Sequence, residues 1–151
     1  MNNLITSLVE LLDSSTVLTG ADISEKYHAD WSGADPCQPL ALLKPKTTQQ
    51  LSEIMALCHE HDQPVVIQGG LTGLAGGATP QSGEIAISLE RMNGIEELDA
   101  TAMTVTALAG TPLQILQDAA DDAELFLPLD LGARGSCNIG GNVATNAGGT
   151  E

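Results

Sequence analysis

Residues 64–78 read PVVIQGGLTGLAGGA, with five glycines among the nine residues 69–77, directly after an apolar run and without a charged side chain. Glycine permits φ > 0 and lets another group approach the main chain. Consecutive N–H groups here can therefore form a concavity that binds an anion without cationic side chains. A plain glycine-rich turn between two strands fits the same stretch, and the surrounding sequence has to separate the two.

The stretch ends a strand–helix–strand pattern. Residues 40–43 form a short apolar strand, and Thr47, Thr48, Gln49 and Gln50 offer a capping box ahead of Leu51, Ile54, Met55 and Cys58 at helical spacing. A second strand at 64–68 completes a parallel crossover unit with the glycines at its C-terminal end. Upstream, apolar residues at 4, 5, 8, 9, 11 and 12 predict a first helix closed by Ser14 and Ser15. Asp22 with Glu25 predicts the cap of a short second helix, followed by an irregular loop at 31–39. Downstream, residues 84–89 and 103–109 read as strands. Thr111 as N-cap, Pro112 at the first helical position and Gln114 then open a helix to about Ala123. His59 and His61, near the end of the helix after the capping box, suit its negative pole and a surface position better than a metal or catalytic role. The organisation expected is an N-terminal helical extension at 1–34 and one α/β (α+β) domain at 35–151. The domain has a small subdomain of parallel strands and helices at about 35–92, then the start of a mainly antiparallel one.

Familiar phosphate loops do not fit. A P-loop needs a lysine, and no Lys or Arg occurs between Lys46 and Arg91. The dinucleotide fingerprint needs a helix directly after its glycines, whereas turn and strand follow here. With five Lys+Arg against twenty Asp+Glu, a formal net charge of −15 opposes nucleic acid and anionic membrane surfaces. No run is long and apolar enough for a transmembrane helix, and the N-terminus lacks a basic leader, so the chain reads as soluble and cytoplasmic. Cys37, Cys58 and Cys137 are odd in number and show no CxxC spacing. They read as reduced thiols, Cys137 as a buried inert one.

A second segment shifts the balance. Residues 128–149 read PLDLGARGSCNIGGNVATNAGG; six glycines and one charge, Arg134, lie between 131 and 150, among Ser136, Asn138, Asn142, Thr145 and Asn146. Arg134 can meet a phosphate or pair with Asp130, and the surface pair is preferred. Two uncharged, donor-rich glycine segments with interleaved Ile139, Val143 and Ala144 suit a large neutral-walled ligand. A flavin dinucleotide has that character: a flat ring, a pyrophosphate for N–H groups, and polar ring atoms for amides and hydroxyls.

The two segments, in this order and spacing, resemble the FAD-binding domain of the vanillyl-alcohol oxidase or PCMH type. PLDLGARGSCNIGGNVATNAGG is similar to D-2-hydroxyglutarate dehydrogenases and their FAD-linked D-lactate and glycolate oxidase relatives. The resemblance runs from about Trp31 to the end, with KPKTTQQLSEIMALCHEH as the helix before the loop. It implies FAD as cofactor and oxidation of a D-2-hydroxy acid, with an electron acceptor that the sequence does not name. It gives the pyrophosphate to Gln68, Gly69, Gly70, Leu71, Thr72, Gly73, Leu74, Gly76 and Gly77. It lines the rest of the FAD with Pro128, Gly135, Ser136, Ile139, Gly140, Gly141, Asn142, Thr145 and Asn146. Some members attach FAD through a histidine just after the paired glycines; Leu71 stands there, which implies non-covalent FAD. A β-branched residue at Gly70 or Gly73 is expected to abolish binding.

In such relatives the FAD domain continues beyond the position of Glu151, and a further domain carries substrate-binding and metal-binding residues. The chain is therefore expected to be an N-terminal part without catalytic or metal residues of its own, with a weak or absent FAD complex and a tendency to homodimerise through an open sheet edge or by burying the open FAD face. A truncated module without cofactor, and a small-ligand domain without redox chemistry, stay open as alternatives.

Overall fold

The structure, a computed structural model, describes residues 3–13 and 15–149. Ser14, half of the expected helix stop, and Thr150 and Glu151 lie outside the described residues. The chain order is α1 (Asn3–Leu11), β1 (Val17–Leu18), β2 (Ala41–Leu43), α2 (Thr48–Glu60), β3 (Val65–Gln68) and β4 (Ile85–Ser88). β5 (Ile95–Asp99), β6 (Thr104–Ala107), α3 (Leu113–Asp122) and α4 (Ile139–Ala144) follow.

One sheet has the order β1-β2-β4-β3. β2, β4 and β3 are parallel and β1 is antiparallel at the edge, so the crossover unit is present with β4 inserted between its two strands. Parallel strands covered on both faces are apolar without alternation, which explains the runs ALL and IAIS. Ala41, Leu43, Ile85 and Ile87 meet Leu4, Leu8 and Leu12 of the first helical segment and Ile54 and Cys58 of α2. Leu42, Ala86 and Val66 face the other way, onto Ile23 and Tyr27. The first 34 residues thus supply material to both faces of the sheet. The buried Cys58 thiol is pushed up by its burial, and all three cysteines are free.

Several local expectations need correction. Thr47 caps α2, accepting from Gln50 N–H at 3.1 Å, but Gln50 Oε1 reaches the Lys46 N–H at 2.8 Å instead of closing the box on Thr47. Asp22 and Glu25 cap no helix. Two single 3₁₀ turns, Gly20–Asp22 and Glu25–Tyr27, lie there without side-chain caps. Thr111 does not cap α3, whose N-cap is Pro112. The Thr111 hydroxyl is buried, donates to Leu108 O at 2.6 Å and accepts from Gly94 N–H at 3.0 Å, tying the start of β5 to the end of β6.

β5 carried no clear strand pattern because three of its five residues are acidic and a register shift lies between Ile95 and Glu97. That irregularity brings Ile95 and Leu98, three apart, to similar partial burial, and breaks the simple alternation a sequence reading seeks.

α2, α3 and α4 close in the same way. The residue after each C-cap, Asp62, Glu124 or Asn146, is left-handed at φ 49°, 57° and 50°. The next N–H returns to the helix: Gln63 to Cys58 O, Leu125 to Ala120 O, and Ala147 to Asn142 O, each at 2.8 Å. None of these positions is glycine, so the glycines cluster elsewhere. The Thr47 cap gives a direct stability test. Thr47→Ala is expected to lower unfolding free energy by about 1 kcal/mol, read as a shifted denaturant midpoint at constant slope.

Candidate functional site

The glycine loop leaves β3 at the C-terminal edge of the parallel sheet, the usual place for a ligand crevice in such sheets. Among the described residues, none of the nine backbone N–H groups from 69 to 77 donates to another group of the chain. The loop is nonetheless fixed. Asp30, buried beneath it, accepts from Ala78 N–H at 3.3 Å, from the Thr79 hydroxyl at 3.1 Å and from Ser32 N–H at 3.0 Å. Gln68, fully buried, donates its amide to Tyr27 O at 2.9 Å and Ala78 O at 3.0 Å. Gln68 is thus a strut between the N-terminal segment and the loop, not part of the cavity wall described below. Burial alone would raise the Asp30 carboxyl, but hydrogen bonds from Ser32, Ala78 and Thr79 hold it below the usual carboxylate range.

The glycines differ in what they do. A Cβ on Gly70 would lie 1.9 Å from the Ser136 carbonyl oxygen, so this position lets the two glycine segments touch. Gly73 has an ordinary backbone, and its Cβ would stand 3.4 Å from Asp30 Oδ2, which is normal contact. Within the chain itself, then, nothing opposes a side chain at Gly73. Left-handed backbone in the loop falls at Gly76, φ 80°, and at Leu71, φ 59°. Leu71 turns its side chain onto the apolar cluster around Tyr27 and Val66.

In the second segment, Asn138, Ile139 and Gly140 pair with the turn before α3. Ile139 N–H donates to Thr111 O and Gly140 N–H to Ala109 O, both at 2.9 Å, and a Cβ on Gly140 would come within 2.7 Å of the Ala109 Cβ. Asn142 is buried and donates to Cys137 Sγ at 3.5 Å. The Thr145 hydroxyl returns to Gly141 O at 2.9 Å, and Asn146 is the left-handed residue that ends α4. Gly135, Gly141 and Pro128 are exposed, as are Leu74 and Gly77 of the first loop, while Thr72 is half-buried. Arg134 pairs with Asp130 at 2.7 Å, and this hydrogen bond holds the Asp130 carboxyl low.

Where the segments meet, a cavity of ≈ 490 Å³ is lined by Gly69, Gly70 and Leu71 from the first, Ser136 and Asn138 from the second, and Glu25, Lys26, Tyr27, Ala29, Trp31 and Glu90. The volume lies within the common range for small-molecule sites. Of the expected site residues, Gly69, Gly70, Leu71 and Ser136 come together on this wall. The N-terminal wall was missed. Trp31 is 70% exposed beside the cavity and is the one tryptophan of the sequence, a signal that was available. Tyr27 and Glu90 gave none, since 63 positions separate them.

A polar cluster secures that wall. The Tyr27 hydroxyl lies 2.9 Å from both Glu90 oxygens, Lys44 Nζ is 2.9 Å from Glu90 Oε1 and 2.7 Å from the Tyr27 hydroxyl, and Lys26 Nζ is 3.5 Å from Glu90 Oε2. Burial pushes the Glu90 carboxyl up, yet the hydrogen bonds and charges of Lys44, with Tyr27 and Lys26, hold it below the usual range. Of the five cations of this acidic chain, Lys26 lines the cavity, and both it and Lys44 are engaged with Glu90. Among the described residues no group of His, Cys, Asp and Glu is arranged to hold a metal.

The donor set suits a ligand with oxyanions: free main-chain N–H groups, no side chain in the way at Gly69 and Gly70, and an aromatic face at the rim. Residues 39–151 match the family described as FAD binding domain. The chain is 41% identical over 139 residues to a mitochondrial D-2-hydroxyglutarate dehydrogenase of Danio rerio, covering 92% of this chain and 26% of that protein. It is 41% identical over 143 residues to a putative mitochondrial D-lactate dehydrogenase of Schizosaccharomyces pombe, covering 95% and 27%. The chain thus spans about a quarter of the length of these curated relatives. Among solved structures, an alkyldihydroxyacetonephosphate synthase aligns with TM-score 0.88 at 17% identity, over 99% of this chain and 30% of its own. A p-cresol methylhydroxylase with substrate bound aligns with TM-score 0.75 at 22% identity, over 96% and 28%. These two likenesses are of fold, and the fold is that of PCMH-type flavoprotein domains.

Two measurements test the site geometry. Gly70→Ala is expected to lower the melting temperature and Gly73→Ala to leave it near wild type; the reverse order in melts would contradict the contact with Ser136. The Asp30 carboxyl is held low in the folded chain, so its stabilisation is present above the unfolded value of about 3.9 and is lost as pH falls through the folded value. Asp30→Asn is expected to be less stable at neutral pH and to lose less stability on acidification, read by denaturant melts across the acid range.

Proposed function

The chain belongs to the FAD binding domain family, and on that premise we propose that it is the FAD-holding part of a flavin-dependent oxidoreductase. The substrate of the whole protein is a D-2-hydroxy acid of the 2-hydroxyglutarate, lactate or glycolate class, oxidised to the 2-oxo acid. One observation carries this reading: the nine N–H groups of residues 69–77 spend no hydrogen bond within the described chain, and the loop opens on the cavity shared with Ser136 and Asn138. The names of the relatives at about 40% identity support the substrate class.

When bound, FAD supplies the acceptor for a hydride from C2 of the hydroxy acid. The residues of this chain bind and orient. Main-chain N–H groups of the glycine loop meet the pyrophosphate oxyanions, where a lysine-free donor row suffices because each N–H carries a fixed partial charge. Asp30 and Gln68 hold that row in place from below. Trp31 offers an aromatic face at the rim, and the Tyr27, Lys44 and Glu90 cluster fixes the segment that carries it. Leu71 has no atom able to form a covalent flavin bond, so FAD is held by contacts alone. No residue of this chain is assigned to proton abstraction: Lys26 at the cavity is paired with Glu90, and none of the three histidines lines the cavity.

The lone tryptophan makes the test simple. Titration with FAD is expected to quench Trp31 emission saturably, and acid denaturation of the complex followed by filtration to leave all flavin in the filtrate. An emission unchanged by FAD would overturn the binding reading; flavin retained on the precipitated chain would overturn non-covalent attachment.

A further inference from the structure

Asn138 occupies the N-cap position of α4 and does not cap it. Asparagine is favoured at N-caps because its side-chain oxygen accepts from the second or third helical N–H. Here the Gly140 N–H is already spent on Ala109 O, and the Gly141 N–H does not donate to the Asn138 side chain. The carboxamide instead turns across to the first glycine loop, with Oδ1 3.3 Å from where a Cβ on Gly69 would stand. Its Nδ2 donates to Ser136 O at 3.5 Å. Its Oδ1 is buried without a donor, in a residue only 7% exposed that lines the cavity. A buried acceptor without a partner costs about 1–3 kcal/mol, and this residue had a conventional use for it one turn away. The arrangement makes sense if a donor arrives from the cavity.

We propose that Asn138 is a cofactor-binding residue whose Oδ1 accepts a hydrogen bond from a hydroxyl of FAD beside the pyrophosphate. This rests on the FAD reading above. The chemistry selects a hydroxyl: at neutral pH the pyrophosphate carries acceptors only and repels a carboxamide oxygen, whereas the groups next to it on either side are the hydroxyl-bearing ribityl chain and ribose. Gly69 then has a second reason to lack a side chain, since a Cβ would press on this oxygen. The loop would supply donors to the phosphates and Asn138 the acceptor for the neighbouring hydroxyl.

The test uses Asn138→Leu, close in size, and Asn138→Ala, which leaves space and can fold where leucine crowds. Affinity for FAD, riboflavin 5′-phosphate and ADP is read by Trp31 quenching, and apo stability by thermal melts. Both variants are expected to bind FAD on the order of tenfold more weakly, and the apo chain to melt no lower with leucine than with asparagine, because an unpartnered acceptor has been removed. Weakening shared with riboflavin 5′-phosphate and absent with ADP places the hydroxyl on the ribityl chain; the opposite pattern places it on the ribose. Wild-type FAD affinity in both variants overturns the proposal, as does an apo melting temperature lowered in both with no further loss of binding. A wild-type chain that binds no FAD fails the preceding reading and this proposal together, whereas a wild type that binds and variants that match it fail this proposal alone.

Discussion

The closest approach in the site is between two backbones, Gly70 and Ser136, and it sets the distance between the two segments that form the cavity. Because any side chain at Gly70 would occupy the Ser136 carbonyl oxygen, the first loop can lie directly on the second. The same logic recurs nearby. Gly110 allows its backbone to pass the Leu89 carbonyl, where a Cβ would lie 1.9 Å away, and Gly140 allows α4 to start against Ala109. Glycine in this chain is therefore used for backbone-to-backbone contact at least as much as for unusual dihedral angles. The three helices end on Asp62, Glu124 and Asn146 in left-handed conformation without any glycine.

A loop so poor in side chains cannot hold itself. Its position is set from outside, by Asp30 and Gln68, which tie it to the N-terminal segment through buried hydrogen bonds. That segment is tied in turn to the sheet by Ile23 and Tyr27 packed on Leu42, Val66 and Ala86, and by the Tyr27 hydroxyl on Glu90. The residues ahead of the family match at 39 thus form one wall of the cavity and also the foundation of its glycine loop.

The cavity is also electrostatically quiet. Lys26 lines it, but Glu90, which also pairs with Lys44, holds that charge locally. In a chain of formal net charge −15, the oriented backbone dipoles of the glycine loop are then the short-range positive groups at the cavity, which salt and surrounding acidity weaken little.

The sequence by itself determined the strand–helix–strand unit, the glycine loop after its second strand, the absence of a P-loop or Rossmann arrangement, and the pairing of two glycine segments. These are carried by local periodicity and by glycine count, both visible within a few residues of each other. Only the tertiary structure decided which residues form the wall. Trp31, Tyr27 and Glu90 reach the cavity through contacts dozens of positions apart. Gln68 and Asn142, which the motifs marked as binding residues, spend their amide N–H groups inside the protein. Local pattern also misled where a distant partner outbid it: Thr111 serves β5 and β6 in place of the helix it precedes, and the irregular register of β5 hid a strand. A side chain's hydrogen-bonding type is written in the sequence, but the partner it finds depends on which backbone the fold brings within 3 Å.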